Sequence, residues 1–256
     1  MDYPSALDFL FPRTTTIKFG LGTTRALLRS LGSPHRVFPS IHVGGTNGKG
    51  SACTLVAEAL GAAGFRVGLY TSPHLVSFRE RIRVDGEPIG EAAVAMWTGR
   101  LRREIEARGA TFFEATTAIA FADFAARGVE IAVVEVGLGG RLDSTNVVRP
   151  LVSGVTHVAL DHQKYLGETL EEIAREKAGI AKPGVPFIVG EEDPRLAAVL
   201  ARAAWEATRA TRPASIRLVP PGRAWTGPLG LEGPHQGRNA AFAAALLEQL
   251  PPPWRP

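Results

Sequence analysis

Cysteine is almost absent from this chain of 256 residues, and long apolar runs are missing. The one cysteine, Cys53, cannot form an internal disulfide, which is typical of a reducing compartment. No apolar run approaches the roughly 18–20 residues that a membrane span needs. The first residues lack the basic stretch of a secretory signal. We therefore expect a cytoplasmic protein without a membrane partner.

Blocks of like charge are also absent. The chain has 29 Lys and Arg against 25 Asp and Glu, and the two signs alternate, as in Arg79-Glu-Arg-Ile-Arg83. A nucleic-acid-binding protein more often has one basic stripe, so we expect no nucleic-acid partner, whereas a small anionic ligand suits the charge. Because arginine supplies most of the positive charge, we expect that a lysine in this chain more often serves a purpose that needs its compact amine. The lysines are Lys18, Lys49, Lys164, Lys177 and Lys182.

Short apolar runs alternate with helical patterns along the chain. We predict strands over 40–44, 65–71, 131–136, 152–159 and 185–189, and helices over 50–63, 91–108, 115–127, 169–178, 194–209 and 239–250. Unbroken apolar strands that alternate with helices are typical of a mostly parallel sheet covered on both faces. The sequence predicts one three-layer α/β domain over 1–256, in which 191–234 partly form small strands or turns.

A glycine-rich segment joins the first predicted strand to a helix. It reads Gly-Gly-Thr-Asn-Gly-Lys-Gly-Ser over 44–51. Backbone N–H groups in such a turn can hold phosphate, and Lys49 can reach the β and γ phosphates. The spacing departs from the standard Walker form, because Val43 replaces its first glycine and Gly50 separates Lys49 from Ser51. A glycine-rich turn without a ligand is the alternative.

Polar residues follow several other predicted strands, at the edge where parallel sheets bind ligands. Ser72 follows the second strand, where a simple turn is the alternative, and Glu135 interrupts an apolar one. A buried carboxylate is costly unless it is paired or binds a cation, so Mg²⁺, an arginine or a helix cap is expected at Glu135. His162 follows a further strand. Lys177 ends a helix, where a cation complementing the helix C-terminus is the simplest explanation.

Several segments together resemble the folylpolyglutamate synthase/dihydrofolate synthase family of the Mur ligase superfamily. The similarity is dense from 35 to 190, fair over 13–34 and 229–245, and weak over 191–228. In other Mur ligases the loop lysine is usually followed directly by threonine, so the Lys-Gly-Ser form indicates the folate branch. The segments are 45–51, 70–86, 131–148, 156–180 and 233–241.

The resemblance implies a P-loop domain of the Mur-ligase central type with ATP and two Mg²⁺ ions. It implies a carbamylated Lys177, whose carbamate would supply the oxygen ligands that arginine cannot. Lys49, Lys177 and His162 would be catalytic. The implied metal ligands are Ser72, Glu135, His162 and Lys177. The implied ATP-binding residues are Thr46, Asn47, Gly48, Lys49, Gly50, Ser51 and Asn239.

The resemblance also implies a substrate pocket and a reaction. L-glutamate would be joined to a carboxylate of dihydropteroate or a reduced folate through an acyl phosphate. Two alternatives stay open: a Mur ligase that adds amino acids to a cell-wall precursor, and a nucleotide-binding module without ligase activity. The implied pteroate pocket consists of Thr16, Ile17, Lys18, Phe19, Thr111, Phe112, Phe113, Glu114, Leu142, Asp143 and Ser144.

Family members carry a further C-terminal domain with an Asp-Gly-Ala-His-Asn-Pro block that helps to bind glutamate and nucleotide. Residues 1–256 contain no such block. We therefore expect that this domain is missing or separate, and that Ser72, Glu135 and His162 face solvent. We also expect an exposed apolar patch beside 239–250, where that domain would dock.

Overall fold

Eight strands form one sheet in the part of the chain that the computed structural model describes, which is residues 1–15 and 17–256. Their order across the sheet is β4-β3-β2-β5-β1-β6-β7-β8. All neighbouring pairs are parallel except β2–β3 and β3–β4. The strands are β1 (Ser40–Gly44), β2 (Val67–Tyr70), β3 (Ile82–Val84), β4 (Glu87–Pro88), β5 (Ile131–Glu135), β6 (Val152–Val155), β7 (Phe187–Val189) and β8 (Ile216–Leu218).

Helices cover both faces of this sheet. The helices within the described residues are α1 (Tyr3–Leu10), α2 (Gly22–Ser30), α3 (Lys49–Ala62), α4 (Glu91–Arg108), α5 (Phe112–Ala126), α6 (Gln163–Leu166), α7 (Leu170–Ala178), α8 (Pro194–Thr208) and α9 (Gln236–Leu247). One face packs against α3 and α9, and the other against α1, α2, α4 and α5 at one end and α7 and α8 at the other. The predicted three-layer α/β class is confirmed.

The middle of the sheet is buried on both faces, which explains its unbroken apolar strands. In β5, Ile131 and Val133 pack with α3, whereas Ala132 and Val134 pack with α5. At Gly68 of the neighbouring β2, an added Cβ would lie 3.0 Å from the Phe124 ring. The glycine therefore lets α5 approach the sheet closely.

Most predicted element boundaries agree with the structure within a few residues. The start of α7 is set by Thr169, whose Oγ1 accepts a hydrogen bond from Glu172 N at 3.2 Å, while Glu172 Oε2 accepts one from Thr169 N at 3.1 Å. The sequence prediction missed α1, α2, α6 and the antiparallel strands β3 and β4. These strands have three and two residues, which is too short for a periodic pattern.

The large apolar residues of α9 and its C-terminal extension do not form the patch that is predicted beside 239–250. Phe242, Leu246 and Leu250 are each at most 2% exposed and belong to the core between α9 and α3. This face of α9 is therefore already covered by the domain itself. Among the described residues, no helix combines the length and apolar character needed to cross a membrane.

Candidate functional site

The glycine-rich loop lies between β1 and α3 at the carboxyl edge of the sheet. Gly45 has a φ of +141°, and an added Cβ would lie 2.0 Å from Thr156 Oγ1. Lys49 Nζ donates a hydrogen bond to Thr46 O at 3.0 Å, which holds the amine over the loop. The close contact with Thr156 and the left-handed backbone thus require glycine at position 45.

Among the described residues, no side chain caps the first turn of α3. It begins after Gly48, which has a φ of +81°, whereas α5 and α7 both begin with capping boxes. Backbone N–H groups at an uncapped helix start are free to bind an anion, and the helix dipole favours negative charge there. The arrangement can therefore hold a phosphate group at Lys49, Gly50 and Ser51.

The start of α9 lies against this loop. Gln236 Nε2 donates to Ser51 Oγ at 3.3 Å, and Asn239 Nδ2 donates to Gln236 Oε1 at 2.9 Å. An added Cβ at Gly48 would lie 2.3 Å from Asn239 Oδ1. The structure thus brings Asn239 to the loop from 190 residues further along the chain, beside a cavity of about 430 Å³ that Asn47 also lines.

Glu135 ends β5 behind the loop and is 3% exposed, so the expectation that it faces solvent is wrong. Its Oε2 accepts a hydrogen bond from Ser72 N at 2.9 Å. Burial raises the pKa of Glu135 to about 7, although this hydrogen bond and the charges of Lys49 and Arg81 act in the opposite direction. No hydrogen bond to Oε1 is found within residues 1–15 and 17–256. Glu135 therefore has an oxygen left for a cation.

Lys177 is also buried, at 3% exposure, and its Nζ donates to Gly45 O at 2.9 Å. Burial, together with the charge of Lys49, lowers the pKa of Lys177 to about 8. The amine therefore contacts the glycine-rich loop. The simple explanation that its charge complements the C-terminus of α7 does not account for this position. His162 is more exposed, has a φ of +48°, and lies with Nε2 3.7 Å from Asp161 Oδ1.

The four predicted metal ligands lie around the loop. Glu135 accepts a hydrogen bond from Ser72 N, Lys177 contacts the loop carbonyl of Gly45, and His162 lines the same cavity as Ser72. In the described part of the chain, three or more His, Cys, Asp or Glu do not come together at any point. Side chains alone would thus give an incomplete coordination sphere, which phosphate oxygens and water complete at many Mg²⁺ sites.

A cavity of about 570 Å³ opens beside the loop. It brings together Thr46, Lys49, Ser72 and His162 with most of the predicted pocket. Leu142 and Glu114 are not among its lining residues, and Thr16 lies outside the described residues. The predicted pocket residues that line the cavity are Ile17, Lys18, Phe19, Thr111, Phe112, Phe113, Asp143 and Ser144.

Two acidic residues of the predicted pocket are engaged in local structure. Glu114 Oε2 accepts hydrogen bonds from Thr111 N at 2.8 Å and Thr111 Oγ1 at 3.0 Å, so it caps α5. Asp143 Oδ2 accepts from Gly137 N at 3.1 Å and Leu138 N at 2.9 Å. Both carboxylates are therefore used to hold the backbone around the cavity. Asp143 lines the cavity itself, whereas Glu114 does not.

Sequence reasoning did not single out Arg81, which also lines the cavity. It is 8% exposed, its Nε donates to His74 Nδ1 at 2.7 Å, and its guanidinium lies 5.1 Å from the centre of the Phe112 ring. No spacing distinguishes Arg81 from Arg79 or Arg83 in the sequence. Only the fold shows which of the three arginines reaches the cavity.

The fold and the site define an α/β domain with an anion-binding loop at its carboxyl edge, next to an aromatic cavity. The model of the Mur ligase middle domain matches residues 43–247. The chain belongs to the Mur ligase family, in its folylpolyglutamate synthase/dihydrofolate synthase branch.

Known proteins of this branch resemble the chain over much of its length. Folylpolyglutamate synthase of Lacticaseibacillus casei is 48% identical over 182 residues, which is 68% of this chain and 42% of that protein. A complex of FPGS with AMPPCP and folate has a TM-score of 0.82 and 36% identity, covering 98% of this chain and 69% of that one. E. coli FolC in complex with DHPP and ADP has the same TM-score and identity, covering 97% and 62%. The chain thus spans less than half of the curated L. casei relative.

Proposed function

We propose that this chain is the ATP-binding part of a ligase that joins L-glutamate to a carboxylate of dihydropteroate or a reduced folate. In this reaction ATP phosphorylates the carboxylate, and the amine of glutamate displaces phosphate from the acyl phosphate. The observation that carries the proposal is the cavity of about 570 Å³, in which the loop residues Thr46 and Lys49 adjoin the aromatic wall of Phe112 and Phe113. A phosphate donor and a flat acid would therefore lie side by side.

The glycine-rich loop is proposed to hold the phosphates of ATP. Lys49 and the N–H groups of Gly50 and Ser51 supply positive charge without exchanging protons, and they would stabilise the charge of the transferring phosphoryl group. Thr46, Asn47 and Gly48 shape this loop. Asn239 lies on the adjoining cavity and would contact the nucleoside. The ADP in the complex of E. coli FolC supports nucleotide binding in this branch.

The residues around the loop fit a magnesium ion, because Glu135 Oε1 is without a hydrogen-bond partner in the described residues and Ser72 lies beside Glu135. We assign one Mg²⁺ to Ser72 and Glu135, and a second to His162 and a carbamylated Lys177. When bound, Mg²⁺ neutralises phosphate charge and orients the reacting groups. The pKa of about 8 leaves a fraction of the Lys177 amine neutral at neutral pH, as reaction with carbon dioxide requires.

The aromatic cavity is proposed to hold the pteroate. The Phe113 ring lines the cavity and is partly exposed, so it would contact a flat heterocycle, while the Phe112 ring stacks on Phe11 beside it. Arg81 supplies a buried positive charge that would attract the carboxylate to be phosphorylated. The DHPP in the complex of E. coli FolC and the folate in the FPGS complex support this substrate class.

Ligation also needs a site that shields the acyl phosphate from water, since exposed acyl phosphates hydrolyse. The curated L. casei relative is more than twice as long as the part that this chain matches. We therefore propose that a C-terminal domain, in the same chain or separate, closes the cleft. Alone, these residues would bind ATP and ligate weakly.

An ADP-release assay with glutamate tests the function. Dihydropteroate, tetrahydrofolate and no acid are compared, using the 256 residues alone and joined to the remaining part of L. casei FPGS. We expect acid-dependent ADP release by the fusion. ATP binding without acid-dependent turnover in either form would instead favour the non-catalytic module, and turnover only with a cell-wall precursor would favour the other Mur branch.

A further inference from the structure

Four arginines and a histidine surround a second cavity far from the glycine-rich loop. We call Arg25, Arg29, Arg36, Arg149 and His35 the arginine cluster. Arg25 and Arg29 are one turn apart on α2. All five residues line a cavity of about 700 Å³. The remaining lining residues are Gly22, Ser33, Phe38 and Val147, so the lining contains no acidic residue.

The arginine cluster lies at the amino edge of the sheet. Arg36 is four residues before β1, and Arg149 is three residues before β6. The glycine-rich loop follows β1 at the opposite, carboxyl edge. The two sites are therefore separated by the length of the central strands, and a ligand at one edge would not contact the other.

These arginines lack the acidic partners that other arginines of the chain have. Arg202 and Glu206 form an ion pair at 2.8 Å, and so do Arg141 and Glu176. Across residues 1–15 and 17–256, no ion pair or side-chain hydrogen bond is found for any of the four arginines of the cluster. Positive charge is therefore concentrated here without compensation.

The groups behind the cavity add to this charge imbalance. His35 Nδ1 is buried and has no hydrogen-bond partner within the described residues. Burial and the charges of Arg36 and Arg25 lower the pKa of His35, and burial with the charge of Arg25 lowers the pKa of Lys182 to about 8. The charges that act on both groups come from arginines, so the charge around this cavity is positive.

We propose that the arginine cluster binds a small-molecule polyanion that carries two or more phosphate or carboxylate groups. Guanidinium groups pair with both kinds of oxyanion through two parallel hydrogen bonds. A cavity of about 700 Å³ with four guanidinium groups exceeds what one inorganic anion can fill or neutralise. This proposal is independent of the nucleotide site.

Calorimetric titration in 0.15 M NaCl tests this site, with inorganic tripolyphosphate and penta-γ-glutamate as separate probes. Because either probe can also enter the glycine-rich loop, all titrations use the Lys49→Ala chain. The test variant adds Arg25→Gln and Arg29→Gln. The matched control adds Arg103→Gln and Arg217→Gln, which remove the same charge from exposed arginines elsewhere. Thermal unfolding checks that each chain is folded.

We expect at least one probe to bind, with at least tenfold weaker affinity in the test variant and less than twofold change in the control. The probe that binds more tightly identifies the oxyanion class. Equal weakening in both variants would overturn the proposal, because it would indicate net charge alone. Failure of both probes to bind, or Arg25-dependent binding of an oligonucleotide alone, would also overturn it.

Discussion

The two edges of the same sheet carry charge in different ways. At the carboxyl edge, Glu135 and Lys177 are both buried, and their pKa values move toward neutrality from opposite sides. At the amino edge, the four arginines of the arginine cluster are exposed and carry one sign of charge. Burial makes the first region sensitive to pH, whereas exposure makes the second sensitive to salt.

This difference suits the carboxyl edge to catalysis and the amino edge to ligand recognition. Groups that must change charge or coordinate a metal near neutral pH benefit from shifted pKa values. Arginine stays protonated at all such pH values, so it can attract an anion but does not serve as acid or base. We therefore expect pH to control the carboxyl edge and ionic strength to control the amino edge.

The largest effect is expected from Lys177→Ala in the ligation-competent fusion. Loss of the proposed metal-binding carbamate should reduce ADP formation on the order of 100-fold or more, since metal ions supply several kcal/mol of charge stabilisation. Short carboxylic acids should restore part of the activity. Carbon-13 NMR after addition of labelled bicarbonate should show a carbamate signal that Lys177→Ala removes.

Lys182→Ala is the matched control for carbamylation. The pKa of Lys182 is lowered by burial to the same value of about 8, but its Nζ is held by Asn146 O at 3.0 Å and Asn146 Oδ1 at 2.7 Å. The carbamate signal should survive in this variant. A wild-type chain without the signal, or a signal lost only with Lys182, would contradict the assignment of Lys177.

Lys49→Ala should weaken ATP binding by on the order of 10- to 100-fold, because a hydrogen bond to a charged group contributes about 1.5–3 kcal/mol. The one hydrogen bond of Lys49 Nζ among the described residues goes to the Thr46 carbonyl, so the variant should fold. Isothermal titration calorimetry measures the affinity, and the exposed Lys164 provides the control variant Lys164→Ala. Unchanged ATP affinity in Lys49→Ala would contradict the assignment of the glycine-rich loop as the site that holds the phosphates.

Much of the carboxyl edge could be predicted from the sequence. The strand, glycine-rich loop and helix around Lys49 are contiguous, and Glu135 stands out because it interrupts an apolar strand. The hydrogen bonds of Glu114 show the limit of this reasoning: its capping box could be read at Thr111 and Glu114, but the resemblance assigned Glu114 to the pocket instead. Resemblance alone did not reveal where the carboxylate points.

The amino edge could not be predicted in the same way. Arg25, Arg36 and Arg149 come from three separate segments, and each has ordinary sequence neighbours. Only the parallel arrangement of β1 and β6 brings the segments before these strands to one edge. A pattern that depends on tertiary proximity leaves no local signal, which is also why Arg81 was not distinguished from Arg79 and Arg83.

Glu135→Gln should change how stability depends on pH. The pKa of Glu135 rises from its ordinary 4.5 to about 7 on folding, so the folded chain binds more protons between these values and loses stability as pH rises. Without Mg²⁺, the variant should gain about 2–3 kcal/mol relative to wild type between pH 4.5 and 8. Denaturant unfolding in a chelator measures this gain.

Mg²⁺ should then distinguish a metal ligand from a merely buried acid. Added Mg²⁺ and ATP should stabilise the wild type more than Glu135→Gln, since a cation offsets the buried negative charge. The exposed Glu58 provides the control Glu58→Gln. This variant should show neither the gain in stability without Mg²⁺ nor a weaker response to Mg²⁺ and ATP than the wild type. Equal Mg²⁺ responses in wild type and Glu135→Gln would contradict the metal assignment while leaving the pH effect interpretable.

The smallest expected effect tests the amino edge through stability alone. Arg25 and Arg29 are like charges at i and i+4 on α2, so Arg25→Gln should raise the free energy of unfolding by about 0.2–0.5 kcal/mol at low salt. Arg202→Gln should do the opposite, because it removes the pair with Glu206. Both changes should vanish in 1 M NaCl, where screening is nearly complete over such distances. Denaturant unfolding at 0.02 M and 1 M NaCl measures both. If Arg25→Gln destabilised the chain at low salt, the guanidinium would have an acidic partner, and the uncompensated charge on which the polyanion site depends would not exist.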